Sequence, residues 1–278
     1  MRILKFFFYF FLLLVVIYFA LVFYVDRQLG KKDFSDSYND CHKVWSARGI
    51  YRTFKEQNSI ESIRAAFEQG AMGVEVDVRY DVELKDFVVS HDYPYNLKNG
   101  KILTLAELFE AVGDDHYFWL DYKKLRFLND EQTQQAIQRL FDISQKNNLT
   151  QRIYVENEAP KNLFKYRKAG LHTIFDTSPV PESMSFLSAF MINVYKMFFY
   201  FGDHSVMAMN YGALDDPVFG AKTRLRLKNV PVFLYHLPVD ESLIDEMLAV
   251  KSVRAFIVGD SVSVNYFHKN SCNVNPEN

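Results

Sequence analysis

After residue 41 the sequence alternates between short apolar runs rich in β-forming residues and longer segments with helical periodicity. Such alternation predicts a parallel sheet with helices packed outside it. Nine runs are present, at 43–47, 73–79, 87–91, 117–122, 152–156, 173–176, 206–210, 230–235 and 253–258. Too few residues separate the second and third for a helix, so we interpret 87–91 as an extension or hairpin near the barrel mouth. The other eight fit a closed (β/α)₈ barrel, although an open doubly wound sheet would give the same local pattern.

The helical segments have recognisable ends. Residues 59–69 open on Ser59, which suits an N-cap, and stop before Gly70. Residues 104–112 begin with T-x-x-E, the pattern of a capping box. Further helices are predicted at 130–146, 160–169 and 240–250. No glycine-rich phosphate loop follows the first strand, which argues against a nucleotide-binding sheet.

An uncharged apolar run at 6–25 precedes the barrel segment. At about 1.5 Å per residue, its 20 positions span roughly 30 Å, one hydrocarbon core. A cleaved signal peptide usually has a shorter run and a small-residue cleavage site, so we favour an uncleaved single-pass anchor. Basic residues flank both ends, and we expect a short inner N-terminus with the barrel on the extracytoplasmic side of the membrane. The predicted organisation is an anchor at 1–25, a polar linker at 26–40 and the barrel at 41–278.

Length, composition and charge exclude some classes of function. The length of 278 residues suits one barrel, and a hydrophobic content of 49% supplies a large core. The formal net charge of -2 argues against a nucleic-acid binder, which needs a basic surface. The two cysteines, Cys41 and Cys272, form no CxxC pair. A disulfide between them would tie the entry of the barrel to its tail. Two unrelated free thiols are the simpler interpretation, which leaves the redox compartment open.

Polar residues stand at the ends of the predicted strands, where the active sites of such barrels lie. Glu75 and Asp77 alternate on the second run, so both carboxylates face the same side of the sheet. Asp121 ends the next barrel strand. Three converging carboxylates repel each other unless a cation lies between them, and their oxygens suit a hard divalent ion. The alternative is a set of rim charges paired with Lys and Arg. The other polar residues at strand ends are Arg48, His91, Lys123, Glu156 and Asp260.

Five motifs follow one another in the first half of the barrel segment. They are S-A-R-G at 46–49, E-Q-N-S at 56–59, G-A-M-G-V-E-V-D-V-R at 70–79, V-V-S-H-D at 88–92 and L-T-L-A-E-L at 103–108. Together they resemble the glycerophosphodiester phosphodiesterase family, which shows H-R-G, E-N-T, G-A-x-x-x-E-x-D-V and V-x-H-D in this order and at similar spacing. The match covers 44–123. Beyond it, the resemblance rests on the β–α rhythm and on F-I-V-G-D at 256–260.

The resemblance implies a TIM barrel that binds a divalent cation, Mg²⁺ or Ca²⁺, through Glu75, Asp77 and Asp121. The family usually has Glu at the last position, but the related sphingomyelinase-D-like enzymes use D-x-K there. Arg48 and Lys123 would contact the substrate phosphate and assist catalysis. His91 would be one of two catalytic histidines, working as general acid or base. The implied partners are a phospholipid-derived small molecule and a membrane.

Two positions depart from the family pattern. Ala47 stands where the family has the first His, and Gln57 replaces the glutamate of E-N-T. A positioned acid–base group typically contributes about 10²–10⁴-fold to the rate, so losing that His impairs the usual two-histidine mechanism. His42 lies near the opposite end of the strand and is a poor substitute. Glu156 is a candidate replacement proton carrier, unless it is an ordinary inward polar residue or an ion-pair partner.

Residues 184–201 are apolar on nearly every face, with Asn193 and Lys196 as interruptions. A barrel helix needs only one apolar stripe. One interpretation is a deeply packed barrel helix. Another is a membrane-contacting element at the barrel mouth, where amphiphilic substrates would enter. A second membrane span fits less well, because the barrel needs this stretch between two strands.

Two functions from different classes remain open. The first is a metal-dependent phosphodiesterase acting on glycerophosphodiesters or lysophospholipid-like substrates. The second is a catalytically impaired pseudoenzyme that binds a phosphorylated headgroup or a protein partner. The retained carboxylates, His91 and Lys123 indicate a site that is still in use, whereas Ala47 and Gln57 favour the second function.

Overall fold

The computed structural model describes residues 2–259 and 266–272. Its helices are α1 (Arg2–Leu29), α2 (Ile60–Glu68), α3 (Leu105–Val112), α4 (Asp130–Lys146), α5 (Pro160–Lys168), α6 (Ser185–Phe201), α7 (Ala221–Arg226) and α8 (Glu241–Ala249). Its strands are β1 (Val44–Ala47), β2 (Gly73–Asp81), β3 (Asp86–Val89), β4 (Tyr117–Tyr122), β5 (Ile153–Asn157), β6 (His172–Thr177), β7 (Val206–Asn210), β8 (Val232–Leu237) and β9 (Val253–Val258). A 3₁₀ turn covers Leu125–Phe127.

Eight of these strands close into a parallel barrel. The strand order is β1-β9-β8-β7-β6-β5-β4-β2-β3, and β1 also pairs with β2, which completes the ring. β3 lies outside it as the antiparallel arm of a hairpin with β2. The predicted (β/α)₈ TIM barrel, the hairpin and the preceding apolar helix are therefore confirmed, and the open doubly wound sheet is excluded.

The helix ends follow the capping signals of the sequence. Ser59 caps α2 by accepting a hydrogen bond from the amide of Ser62. Thr104 and Glu107 form the predicted capping box of α3. Asn129 caps α4, which spans the predicted residues 130–146. α7, a helix of six residues, was not predicted, because its short segment is too polar to show an apolar stripe.

Aromatic residues fill the lower part of the barrel interior. Trp45, Trp119, Tyr154 and Phe233 point inward from four strands, and each is at most 1% exposed. Gly73 on β2 lies against the indole of Trp45, where a Cβ atom would approach ring carbons to 2.3 Å. The glycine therefore makes room for the large ring, and the barrel is a packed core rather than a pore.

The segment predicted as a linker, 26–40, packs against the amino-terminal end of the barrel. Its first residues continue α1 to Leu29. The buried ring of Tyr38 contacts Trp45, Tyr117 and Phe233, and the Tyr38 amide donates a hydrogen bond to the hydroxyl of Tyr154. This segment therefore closes the amino-terminal end of the barrel.

The two cysteines are joined, and our interpretation of two free thiols was wrong. Cys41 and Cys272 form a disulfide although they are 231 positions apart in the sequence. The chain after the barrel returns to its amino-terminal end, where the amide of Ser271 donates to the carbonyl oxygen of Cys41. The pairing depends on this return of the chain, and no local sequence pattern predicts it.

Two apolar helices lie together on one side of the barrel. α1 is long and apolar enough to cross a membrane, and no part of its most hydrophobic window is buried. α6 connects β6 to β7 as a barrel helix, as the strand count required. Only Ser188, Ile192, Lys196 and Phe199 of its residues are buried, and part of its outer face contacts α1.

Candidate active site

Three carboxylates meet inside the carboxyl-terminal end of the barrel. Glu75, Asp77 and Asp121 each place one oxygen within 4.8 Å of the others. Asp77 and Asp121 are opposite one another in the parallel β2–β4 ladder, and Glu75 lies one inward position below Asp77. Asp77 is fully buried and Glu75 is 6% exposed. The structure thus brings together the three residues predicted as metal ligands.

Two cations complete this charged cluster. The Arg48 Nε atom lies 2.8 Å from Asp77 and 3.8 Å from Glu75. The Lys123 Nζ atom lies 3.0 Å from Asp77 and is also paired with Asp121. Burial opposes the charge of Lys123, but Asp121 and Asp77 outweigh it and raise the pKa of the ammonium. Three carboxylates and two cations leave one net negative charge if all are ionised.

A tight turn after β1 aims Arg48 at the carboxylates. Arg48 has a positive φ of 57°, and Gly49 follows with a φ of 85°. A Cβ atom on Gly49 would lie 2.4 Å from the backbone of Ser62 in α2, so only glycine fits. The Arg48 carbonyl accepts hydrogen bonds from the Asn58 amide and the Ser62 hydroxyl. The turn is therefore held against the start of α2.

Asn58 fixes the central carboxylate in place. Its Nδ2 atom donates to an Asp77 oxygen at 2.7 Å, and its Oδ1 atom accepts from the Asp77 amide at 3.2 Å. The neighbouring Gln57 is 6% exposed, and its Oε1 atom accepts from Arg48 at 3.3 Å. Asn58 was not among the predicted site residues. The position of Asn58 in the E-Q-N-S motif could have identified it from the sequence.

The donor set fits a divalent cation. The Oε1 atom of Glu75 is buried and has no hydrogen-bond partner among the described residues. Burial and the neighbouring charge of Asp77 raise the pKa of Glu75 well above its usual range. A buried carboxylate oxygen without a donor is costly, and an oxygen-seeking cation would satisfy it. Glu75, Asp77 and Asp121 are thus the residues that could hold such an ion.

A cavity of 490 Å³ opens above the cluster. His91, Arg48 and Lys123, which the resemblance assigns to catalysis and phosphate contact, all line its wall. The His91 Nδ1 atom lies 2.7 Å from a carboxylate oxygen of Asp92, which orients the ring. Arg79 donates to the carbonyl oxygen of His91 at 2.8 Å and holds the loop that carries it.

The far wall of the cavity contains buried acids. Glu156 accepts a hydrogen bond from the indole Nε1 of Trp119, and burial together with the charges of Asp121 and Asp176 raises its pKa well above the usual range. Asp176 accepts from the hydroxyl of Tyr235 at 2.7 Å, and burial raises its pKa to about 7. The raised pKa of Glu156 favours its protonated form, which is the form that a proton donor requires.

Sequence reasoning missed three residues of this wall. Asp176 lies near the carboxyl end of β6, and Tyr235 and His236 lie near that of β8, where no family motif marks them. The Nδ1 atom of His236 lies 2.8 Å from the carbonyl oxygen of Gly259. Their position at carboxyl-terminal strand ends was the available signal.

The departures from the family pattern lie where the resemblance places them. Ala47 is opposite Glu75 in the β1–β2 ladder, beside the carboxylate cluster. His42 precedes β1 at the other end of the barrel, where its Nδ1 atom contacts Asp40 at 2.6 Å. Asp260 lies outside the described residues.

The fold matches solved structures of known enzymes, whereas no protein-family model and no curated protein matches the sequence. A glycerophosphodiester phosphodiesterase from Parabacteroides distasonis has a TM-score of 0.57 at 16% identity, over 79% of this chain and 93% of that one. The enzyme of that name from Thermotoga maritima has a TM-score of 0.54 at 21% identity, over 78% and 93%. An Oleispira antarctica phosphodiesterase in complex with the product sn-glycerol-3-phosphate has a TM-score of 0.51 at 14% identity, over 78% and 92%. The resemblance is thus confirmed at the level of the fold.

Proposed function

We propose that this chain is a divergent member of the glycerophosphodiester phosphodiesterase family. It is a single-pass membrane protein whose barrel hydrolyses a phosphodiester bond of glycerophosphodiesters or lysophospholipid-like substrates. The observation that carries the proposal is the cluster of Glu75, Asp77 and Asp121 with Arg48 and Lys123 at the carboxyl-terminal strand ends. The neighbours in fold support it, because one of them was solved with sn-glycerol-3-phosphate.

A divalent cation, Mg²⁺ or Ca²⁺, would be held by Glu75, Asp77 and Asp121, and would supply Lewis-acid stabilisation of charge on the phosphoryl oxygens. The charges of the chain support this assignment. With all five groups ionised, the cluster carries one net negative charge, so a divalent ion brings it to one positive charge, which matches a phosphodiester monoanion. The site then attracts its substrate without burying excess charge of either sign.

Arg48 and Lys123 bind and orient the phosphate. Each is within ion-pair distance of Asp77, so both are held at the cavity floor before substrate arrives. A guanidinium presents a planar fork of donors to two phosphate oxygens, while an ammonium acts as a compact charge. Fixed donors of this kind stabilise charge that develops during the reaction without reorganising.

Proton transfer needs groups on both sides of the phosphorus. His91 in the cavity wall is one such group, oriented by Asp92. Ala47 leaves the position of the first family histidine without an imidazole. Glu156, which lies in the same cavity with a raised pKa, is the candidate donor of a proton to the leaving oxygen.

A binding protein is the second candidate function. Ala47 carries no titratable group, and Gln57 uses its side-chain oxygen as an acceptor for Arg48. Such a chain would retain the cation and phosphate sites and bind a phosphorylated headgroup, or a protein partner, without turnover.

The disulfide supports an extracytoplasmic barrel. Disulfides persist mainly in oxidising compartments, and the Cys41–Cys272 bond ties the start of the barrel to its end. With α1 as the anchor, the short N-terminus would then remain on the cytoplasmic side, as the positive-inside tendency allows.

The test is hydrolysis by the full chain in detergent micelles. A panel of glycerophosphodiesters and lysophospholipids is incubated with Mg²⁺, with Ca²⁺ or with EDTA, and the released alcohol and phosphomonoester are quantified. We expect metal-dependent turnover that Asp77→Asn abolishes. Asp86→Asn is the matched control, because Asp86 is paired with Arg139 outside the cavity. Saturable binding of sn-glycerol-3-phosphate without turnover on any substrate would select the binding function, and neither binding nor turnover would reject both.

A further inference from the structure

The anchor helix packs along α6 in parallel. Tyr18 of α1 stacks near Phe190, with ring centroids 5.4 Å apart, and its hydroxyl accepts a hydrogen bond from Asn193. Six residues later on α1 and ten residues later on α6, Tyr24 contacts Tyr200. Later residues of α1 therefore meet later residues of α6, so the two helices run in the same direction.

An ion pair between a buried lysine and a half-exposed aspartate fixes the register of the two helices. Lys196 on α6 is 3% exposed and is paired with Asp26 near the end of α1. Below it, Lys32 is paired with Asp203 in the loop that leads into β7, and the ring of Phe34 contacts Phe199. These contacts place the carboxyl end of α1 at the closed, amino-terminal end of the barrel.

The amino end of α1 consequently projects past the cavity. α6 follows β6, so its first residue, Ser185, lies at the carboxyl-terminal end of the barrel. From Phe190 back to Ser185, α6 rises roughly 8 Å. From Tyr18 back to Arg2, α1 rises roughly 24 Å in the same direction. About 16 Å of apolar helix therefore extends beyond the barrel mouth.

A helix that passes the mouth in this direction enters a bilayer on the mouth side of the barrel. The first turns of α6, which lie beside α1, then face that bilayer as well. Their exposure agrees with this, because Phe186 is 85% and Phe190 is 43% exposed.

Exposed apolar side chains are concentrated in the loops at the barrel mouth, whereas at the opposite end Phe201 and Leu225 are exposed in the last turns of α6 and α7. Large exposed apolar side chains occur in the loops that follow β1, β3, β4, β6, β7 and β8. Within the described chain, the loops that lead from a helix into β2 and into β4 to β9 expose none. The rim residues are Phe54, Tyr93, Leu97, Phe127, Met184, Leu214 and Val239, each at least 50% exposed.

We propose that the bilayer crossed by α1 covers the mouth of the barrel. The rim loops and the first turns of α6 enter the interface, and the cavity opens toward lipid headgroups. The substrates are phosphodiester lipids of the membrane in which the protein itself is anchored, rather than diesters dissolved in water. The substrate class rests on the proposed phosphodiesterase function, whereas the orientation rests on the packing of α1 and the apolar rim.

The orientation is tested with single introduced cysteines in the full chain. The two native cysteines are joined, so without reductant a new cysteine carries the only thiol. Phe127→Cys and Leu214→Cys place a fluorescent bimane on the rim, on both sides of α6. Lys146→Cys and Lys251→Cys place it on exposed sites at the closed end. Each variant is reconstituted into phosphatidylcholine vesicles that contain lipids with a quenching spin label on the acyl chain.

We expect the rim labels to lose about half or more of their fluorescence, because interfacial side chains reach about 5–10 Å into the headgroup and acyl boundary. The labels at the closed end should be unchanged. Quenching at Lys251→Cys with none at Leu214→Cys would overturn the orientation, and so would no quenching at any of the four sites.

A matched pair of variants tests the substrate class. Leu214→Asp changes the rim, and Leu225→Asp makes the same change on α7, where Leu225 is 70% exposed near the carboxyl end of α1. We expect Leu214→Asp to lower hydrolysis of a lysophospholipid held in vesicles roughly three- to tenfold, since it removes one inserted leucine. Hydrolysis of water-soluble glycerophosphocholine should not change in either variant. Equal loss on both substrates would contradict membrane presentation. If neither substrate is cleaved by the parent chain, the proposed function fails, while the quenching result still decides the orientation.

Discussion

The two ends of one barrel are built from the same strands but from opposite chemistry. At the amino-terminal end, Trp45, Tyr38 and Tyr154 pack into a closed aromatic core that a disulfide ties shut. At the carboxyl-terminal end, one or two inward positions later, Glu75, Asp77 and their charged partners line an open cavity. Strand alternation guarantees that both sets face inward. It does not decide which positions are charged.

The comparison assigns stability to one end and chemistry to the other. Buried aromatics contribute to folding wherever they pack, whereas buried carboxylates are costly unless a cation offsets them. A chain under selection for stability alone has no reason to retain three carboxylates in one cluster. Substitutions at the closed end should therefore change the free energy of unfolding, and substitutions at the open end should change binding and rate.

The largest expected effect comes from Ala47→His at the open end. The new imidazole would stand opposite Glu75, where the resembling family has its first histidine. We expect phosphodiester hydrolysis to rise about 10²–10⁴-fold, with little change in stability. Steady-state kinetics on the full chain checks this, and the double variant with Asp77→Asn should show no gain. If the parent chain already turns over well and Ala47→His leaves the rate unchanged, another group supplies the proton. Glu156 is the first candidate.

A substitution two residues earlier on β1 tests the packing of the closed end. Trp45→Ala should lower the free energy of unfolding by about 3–5 kcal/mol, because it opens a cavity inside the barrel. Urea unfolding followed by circular dichroism measures this. Phe54→Ala is the matched control, since Phe54 is 65% exposed, and it should stay within about 0.5 kcal/mol. Similar losses in both variants would contradict a packed closed end.

The disulfide adds to the stability of the closed end. Replacing Cys41 and Cys272 with serine should cost about 2–5 kcal/mol, because the bond closes a loop of 231 residues in the unfolded chain. Urea unfolding with and without reductant checks the result, and reductant should affect only the parent chain. Phosphate binding under native conditions should be unchanged. If it falls in step with stability, the two ends are not independent.

The smallest expected effect, taken per pH unit, is a pH dependence of stability from Asp176. Burial raises its pKa to about 7, so the folded state holds a proton that the unfolded state has lost above about pH 4. This contribution to stability is full below pH 4 and is lost as the pH rises toward 7, by at most about 1.4 kcal/mol per pH unit. Asp176→Asn should flatten that slope when unfolding is measured in EDTA. A slope that stays the same would assign the effect to other groups.

The first half of the barrel could be predicted from sequence in detail. Capping signals at Ser59 and Thr104 are local, and the alternation of Glu75 and Asp77 fixes their common face. Motif order then placed Arg48, His91 and Lys123 around the same cavity. These features depend only on neighbours in the chain or on strand order.

The remaining features depend on contacts that form only when the barrel closes. The Cys41–Cys272 bond requires the chain to return to the closed end, and Tyr38 finds its aromatic partners only there. The contact between Tyr18 and Phe190 joins two apolar helices 172 positions apart, whose patterns fit several partners. Asp176, in the second half of the chain, carries no motif, so its role follows only from its position in the cavity.

The central claim is that the open end holds a divalent cation between its carboxylates. Isothermal titration calorimetry of the metal-stripped full chain in detergent, with Mg²⁺ and separately with Ca²⁺, tests it most directly. The account predicts one saturable site per chain for at least one of the two ions. That site should be lost in Asp77→Asn and retained in Asp86→Asn. Equal heats from the parent chain and Asp77→Asn would contradict the claim.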